Sequence, residues 1–141
     1  MKFLTFLNSG CLDICLNMLK SAENVGINMN DFIIACMDKE VYESLSSYKG
    51  AFLYMDQNLK EYQDWTFNYN SGFRNIVKHK WNIINQVHKE NPNLMWVDTD
   101  IVFKENPVEI LTGHEEVLFQ TDAPGSTICT GFMIFNETEE C

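Results

Sequence analysis

Hydrophobic residues recur along this chain in two patterns, short continuous runs and helical spacing, and the two patterns alternate. The continuous runs predict six strands, over residues 2–7, 31–37, 51–55, 94–97, 117–119 and 128–135. Helical patterns over 12–25, 39–48 and 73–88 lie between them, while 56–70 shows no clear period and is predicted to be a loop. This alternation favours an α/β fold with a mainly parallel sheet flanked by helices, in a single domain spanning 1–141.

The run that starts at Leu94 is the most informative one, because two acidic residues follow it. Asp98 and Asp100 lie two residues apart, and side chains two apart on a strand point the same way. Two carboxylates brought together at the end of a buried strand repel each other and are costly to desolvate. A bound Mn²⁺ or Mg²⁺ would neutralise them, since hard cations prefer carboxylate, phosphate and water oxygens. The alternative is a pair of solvated acids at a strand exit.

Lys80 lies on the apolar stripe of the helix predicted over 73–88, rather than on its polar face. One interpretation is a lysine whose stem packs against the core while its amine reaches water. The other is a cation directed toward a diphosphate or toward the acidic pair. The spacing of residues does not choose between them.

Other polar residues follow predicted strands, at the edge where ligands of α/β sheets bind. Asn8, Ser9 and Gly10 form a turn before a helix, and its backbone N–H groups suit an anion or the edge of a base. Asp38 follows the second strand. Asp122 is a further acid in a predicted turn, where a purely structural role is the alternative.

Gly131 interrupts the last predicted strand, within Cys129-Thr130-Gly131-Phe132. A glycine inside a strand marks either the close approach of a ligand or a bulge. Both alternatives are open from the sequence.

Composition narrows the possible partners. The net charge is −10 and Lys and Arg are scattered, which argues against a nucleic-acid surface. No apolar stretch approaches the roughly 18 residues of a membrane span. The five cysteines form no CxxC pair and indicate reduced thiols, so a cytoplasmic location is predicted.

Several segments then occur in an order typical of one family. They are residues 17–22, 33–38, 96–103, 120–122 and 129–132, with Lys80 eighteen positions before the acidic motif. Together they resemble the nucleotide-diphospho-sugar transferase family, the GT-A glycosyltransferases close to glycosyltransferase family 77. The resemblance implies a GT-A-like (Rossmann-like) sheet and a retaining, Mn²⁺-dependent (or Mg²⁺-dependent) transfer from a UDP-sugar to a saccharide or protein acceptor.

The resemblance also implies roles for the residues already singled out. Asp98 and Asp100 are implied to bind the metal, and Lys80 is implied to have a catalytic role facing the phosphates. Asp122 is implied as a catalytic residue on the sugar or acceptor side. The remaining residues implied in donor binding are Asn8, Ser9, Gly10, Asp38, Asp98, Thr99 and Gly131.

Two other functions stay open at this point. The motif Asp98-x-Asp100-x-Val102 also fits HAD-type phosphatases, in which the first acid attacks phosphorus. Those enzymes carry the motif after their first strand and need a downstream lysine, whereas no lysine follows Lys104 here. The chain is also shorter than GT-A catalytic domains usually are. A truncated remnant or a non-catalytic module that binds nucleotide-sugar or metal is therefore the second alternative.

Overall fold

The computed structural model describes residues 1–46, 48, 52–55, 71–111, 117–121, 125 and 127–136. Within these ranges the strands are β1 (Lys2–Leu7), β2 (Phe32–Cys36), β3 (Phe52–Met55), β4 (Leu94–Val97), β5 (Leu118–Thr121) and β6 (Ile128–Phe135). The α-helices are α1 (Leu12–Asn24), α2 (Lys39–Leu45), α3 (Ser71–His88) and α4 (Val108–Leu111). The loop predicted over 56–70 lies outside the described residues.

The six strands form one sheet in the order β3-β2-β1-β4-β6-β5. The first four of that order are parallel, and β6 runs antiparallel to both β4 and β5. The predicted mainly parallel α/β sheet is therefore confirmed, with an antiparallel hairpin at one edge. The helix predicted over 39–48 is shorter and ends at Leu45.

Side chains alternate between the two faces of the sheet, as the period of two requires. On β4, Met95 and Val97 belong to the core that also contains buried residues of α1 and α2. Leu94 and Trp96 point to the other face, where they lie in one core cluster with buried residues of α3. Because Asp98 is two residues beyond Trp96, it continues on the α3 face.

The parallel strands bring their carboxyl ends to one edge of the sheet. Leu7 pairs with Cys36 at the ends of β1 and β2, and Leu4 of β1 pairs with Trp96 near the end of β4. Asn8, Asp38 and Asp98 therefore follow three neighbouring strands at the same edge.

The cysteines that fall within the described ranges have free thiols. Burial raises the pKa of Cys15 and of Cys36 to about 12, so both thiols stay protonated in the core at neutral pH. Among the described residues, no helix is long and apolar enough to cross a membrane.

Candidate functional site

Asp98 occupies the centre of this edge, and its two carboxylate oxygens have different surroundings. Oδ1 accepts a hydrogen bond from the Lys80 ammonium at 3.0 Å and from the Trp96 indole N–H at 2.8 Å. None of the described residues donates a hydrogen bond to Oδ2. The side chain is 41% exposed. One oxygen is therefore held by two side-chain donors, and among the described residues the other is not held by any donor.

Lys80 reaches this carboxylate from α3 and is itself only 6% exposed. Its ammonium donates to Asp98 Oδ1 and to the backbone carbonyl of Thr130, and it lies 4.6 Å from the centroid of the Trp96 ring. Burial lowers the pKa of the lysine, and the charge of Asp98 opposes that shift. The structure thus selects the cation directed at the acidic pair over the lysine that reaches water.

Gly131 lies against the same carboxylate. A Cβ at this position would come within 3.1 Å of Asp98 Oδ2, and the Asp98 N–H donates to the Gly131 carbonyl at 2.8 Å. The strand pairing is also irregular here, because Phe119 pairs with Met133 while Gln120 pairs with Cys129. The irregular pairing agrees with the bulge alternative, and the group that lies against the glycine is the Asp98 side chain. Close approach of a ligand stays a prediction.

Asp38 follows β2 and binds backbone groups with both of its oxygens. Oδ1 accepts from the Val41 N–H at 2.8 Å, which caps α2, and Oδ2 accepts from the Ser9 N–H at 2.7 Å. The carboxylate thereby ties the start of α2 to the turn after β1. An open cleft of about 580 Å³ borders these two residues. Its lining residues are Ser9, Asp38, Lys39, Glu40, Glu43 and Ser44.

Asn8 is the first residue of the turn after β1 and is 4% exposed. Its side-chain oxygen finds no donor among the described residues, although a buried polar atom normally has one. That oxygen lies 3.3 Å from the position of a Cβ on Gly10. The turn therefore holds a buried acceptor that no described residue uses.

Asp100 is exposed and Thr99 is half-buried in the turn after β4. After burial, the charge of Asp100 is the second cause that raises the pKa of Cys11, so this carboxylate lies near the turn of residues 9–11. Asp122 lies outside the described residues. The structure thus places Asn8, Asp38 and Asp98 after neighbouring strands at one edge, as the sequence predicted, and it adds Gly131 beside Asp98. A shared position of the Asp98 and Asp100 carboxylates stays a prediction.

The acidic pair fits a divalent cation that is bound jointly with a phosphate ligand. In the described part of the chain, no three His, Cys, Asp or Glu side chains are grouped to hold a metal by themselves. Mg²⁺ in phosphate-transfer sites is typically held by one or two carboxylates, with phosphate and water oxygens completing the shell. Asp98 and Asp100 carry the two carboxylates that follow β4, and Asp100 is exposed.

Comparison with known proteins decides the family. The family model described as nucleotide-diphospho-sugar transferase matches residues 27–140. The chain belongs to this family. The curated UDP-galactose:fucoside alpha-3-galactosyltransferase of Dictyostelium discoideum is 25% identical, and the match covers 98% of this chain and 26% of that protein. The chain therefore spans about a quarter of the length of this relative.

Solved structures identify the fold as that of the GT-A glycosyltransferases. An active-site mutant of LgtC superposes with a TM-score of 0.61 at 8% identity, over 96% of this chain and 57% of that chain. The galactosyltransferase LgtC with donor and acceptor sugar analogues gives 0.60 at 9% identity, over 96% and 58%. The bifunctional glycosyltransferase WbbM gives 0.58 at 12% identity, over 96% and 31%. The predicted GT-A-like fold is confirmed.

One residue of this site was not singled out from the sequence. Trp96 was interpreted only as part of a buried strand, yet its indole N–H holds Asp98. The signal was present, because residues two apart on a strand share a face. A buried tryptophan next to an acid on the same face needs a partner for its N–H, and the acid can provide it.

Proposed function

We propose that this chain is the donor-binding part of a glycosyltransferase that moves a sugar from a UDP-sugar to an acceptor with the help of a divalent cation. The observation that carries the proposal is the Asp98 carboxylate at the carboxyl end of β4: one oxygen is fixed by two donors, and the other receives no hydrogen bond from the described residues. Family membership supports a nucleotide-sugar as the ligand. The named activity of the Dictyostelium relative supports a UDP-linked donor.

Each residue of the edge then has a definable task. Asp98 Oδ2 and Asp100 would hold Mn²⁺ or Mg²⁺ together with the donor diphosphate. The bound ion would supply charge neutralisation for the departing UDP. Asn8 would direct its unused oxygen toward an N–H donor on the base.

Lys80 and Asp122 were predicted as catalytic residues, and the two now differ. The Lys80 ammonium is engaged by Asp98 and Thr130, so we assign it the task of holding Asp98. Contact of Lys80 with the phosphates stays a prediction. The same is true of the role of Asp122 on the sugar or acceptor side.

The proposal is tested by titrating the protein with UDP in the presence and absence of Mn²⁺, with calorimetric detection. We expect UDP to bind more tightly with Mn²⁺. In Asp100→Ala we expect this Mn²⁺-dependent gain in UDP affinity to fall roughly tenfold or more, as when residues around a bound metal are mutated. Glu90→Ala is the matched control, because Glu90 is an exposed acid on the segment that enters β4, opposite the site. No UDP binding by the native chain would refute the proposal.

The same titration addresses the second function left open by the sequence. That function is a non-catalytic module that binds a nucleotide-sugar or a metal. Metal-dependent UDP binding without hydrolysis or transfer of a UDP-sugar would support the module. If UDP affinity still rises with Mn²⁺ in Asp100→Ala, the metal assignment is wrong.

A further inference from the structure

We propose that Trp96 and Lys80 are positioning residues that occupy Oδ1 of Asp98 completely, so that Asp98 offers a ligand only through Oδ2. This inference rests on the proposed function and specifies how the acidic pair binds its cation. It concerns two side chains that act through Asp98 rather than on the donor directly.

Trp96 is the less obvious member of the pair. It is 1% exposed, and its ring packs in the core between the sheet and α3. An indole N–H can only donate, and in a core it requires an acceptor. Asp98 Oδ1 provides that acceptor at 2.8 Å. Because the indole is enclosed by the core, it fixes the position of the carboxylate rather than following it.

Lys80 holds the same oxygen from a second direction. Its ammonium donates to Asp98 Oδ1 at 3.0 Å and to the Thr130 carbonyl, and it lies over the Trp96 ring. Hydrogen bonds between charged groups are roughly twice as strong as neutral ones. The Lys80 ammonium thereby joins α3 to the end of β4 and to β6.

The consequence is a difference between the two oxygens of Asp98. An ionised carboxylate has about four lone-pair sites, about two on each oxygen. The two donors occupy both lone-pair sites of Oδ1, and Oδ2 lies beside Gly131. Asp98 can therefore bind a cation through one oxygen only. Ca²⁺ often takes carboxylates through both oxygens, whereas Mg²⁺ requires a compact octahedral shell, so the arrangement disfavours Ca²⁺.

Trp96→Phe is the informative variant, because it keeps an aromatic ring in the core and under Lys80 but removes the N–H. Binding of Mn²⁺ in the presence of UDP is followed by the electron paramagnetic resonance signal of free Mn²⁺, with Ca²⁺ as competitor. We expect Mn²⁺ affinity to fall about tenfold, as for lost outer-shell partners, and Ca²⁺ affinity to fall less because Oδ1 is released. Trp81→Phe is the matched control, since Trp81 is 42% exposed on α3.

The outcomes separate this inference from the proposed function. The native protein and Trp81→Phe are expected to bind Mn²⁺ in the presence of UDP. If Trp96→Phe then shows the same Mn²⁺ affinity and the same preference for Mn²⁺ over Ca²⁺, the inference is overturned while the proposed function stands. If the native protein binds no Mn²⁺ with UDP, the proposed function fails and the inference fails with it.

A second replacement protects the test against misfolding. Introducing β-(3-benzothienyl)alanine in place of Trp96 exchanges the N–H for sulfur at nearly constant shape. Should Trp96→Phe not fold, this replacement is tested in the same assay. A loss of Mn²⁺ affinity together with a smaller ratio of Mn²⁺ affinity to Ca²⁺ affinity supports the inference. Unchanged affinities overturn it.

Discussion

Two aspartates that follow parallel strands at the same sheet edge, Asp38 after β2 and Asp98 after β4, are held in different ways. Both oxygens of Asp38 accept from backbone N–H groups, one from Ser9 and one from Val41. Asp98 instead receives two side-chain donors on a single oxygen, from Lys80 and Trp96. The same residue type at the same kind of position therefore has two different environments.

This difference distinguishes a carboxylate with both oxygens fixed by backbone groups from a carboxylate with one oxygen that no described residue fixes. Backbone donors on both oxygens make Asp38 part of the connection between β1, β2 and α2. Side-chain donors on one oxygen hold Asp98 in place, and within the described part of the chain Oδ2 has no donor. A strand-end acid is thus available for chemistry when the groups that fix it lie on one side of its carboxylate.

The largest effect is expected from Asp98→Ala. Removing this acid leaves the Lys80 ammonium, 7% exposed, without its counter-charge in the core. Breaking a buried pair costs about 3–5 kcal/mol, and we expect about 3 kcal/mol because Asp98 is partly exposed. The free energy of unfolding is measured in urea, and the Mn²⁺-dependent gain in UDP affinity is measured in parallel.

Two further variants decide whether that loss of stability arises because the Lys80 charge has no partner. Asp100→Ala removes an exposed acid and should leave stability within about 0.5 kcal/mol of the native value. The double variant Asp98→Ala/Lys80→Met should regain much of the lost stability, since both charges are then gone. If the double variant is less stable than Asp98→Ala, the ion pair is not the cause and the contrast with Asp38 fails.

The sequence predicted the edge better than it predicted the contacts within it. The six strands and the place of Asp98 at the end of β4 followed from the pattern of apolar residues and from the order of elements. The convergence of Asp100 with Asp98 stays a prediction, because β4 ends at Val97 and Asp100 lies in the turn after it. The direction of Lys80 did not, because its sequence separation from β4 does not specify how α3 lies on the sheet. The contact between Gly131 and Asp98 could not be predicted either, because it depends on the register of β6 against β4.

A smaller effect is expected from Asp38→Ala. The variant removes the cap of α2 and the acceptor of the Ser9 N–H, and loss of a helix cap costs about 1 kcal/mol. Urea unfolding measures the change, with Glu90→Ala as the control for loss of an acid. Stability equal to the native value together with abolished UDP binding would make Asp38 a ligand rather than a structural acid, and the distinction from Asp98 would disappear.

The smallest change in stability is expected from Gly131→Ala, which tests the free oxygen of Asp98 directly. The new Cβ would lie 3.1 Å from Oδ2, so the carboxylate must shift against its two donors. Strain of about 0.5–1.5 kcal/mol is offset by the roughly 0.5–1 kcal/mol that a strand gains when alanine replaces glycine. The free energy of unfolding should therefore hardly change, while Mn²⁺-dependent UDP binding weakens because Oδ2 is displaced and covered. Thr130→Ala, at the exposed neighbouring position, is the control. Equal binding by Gly131→Ala and Thr130→Ala would mean that Oδ2 is not the oxygen that Asp98 offers.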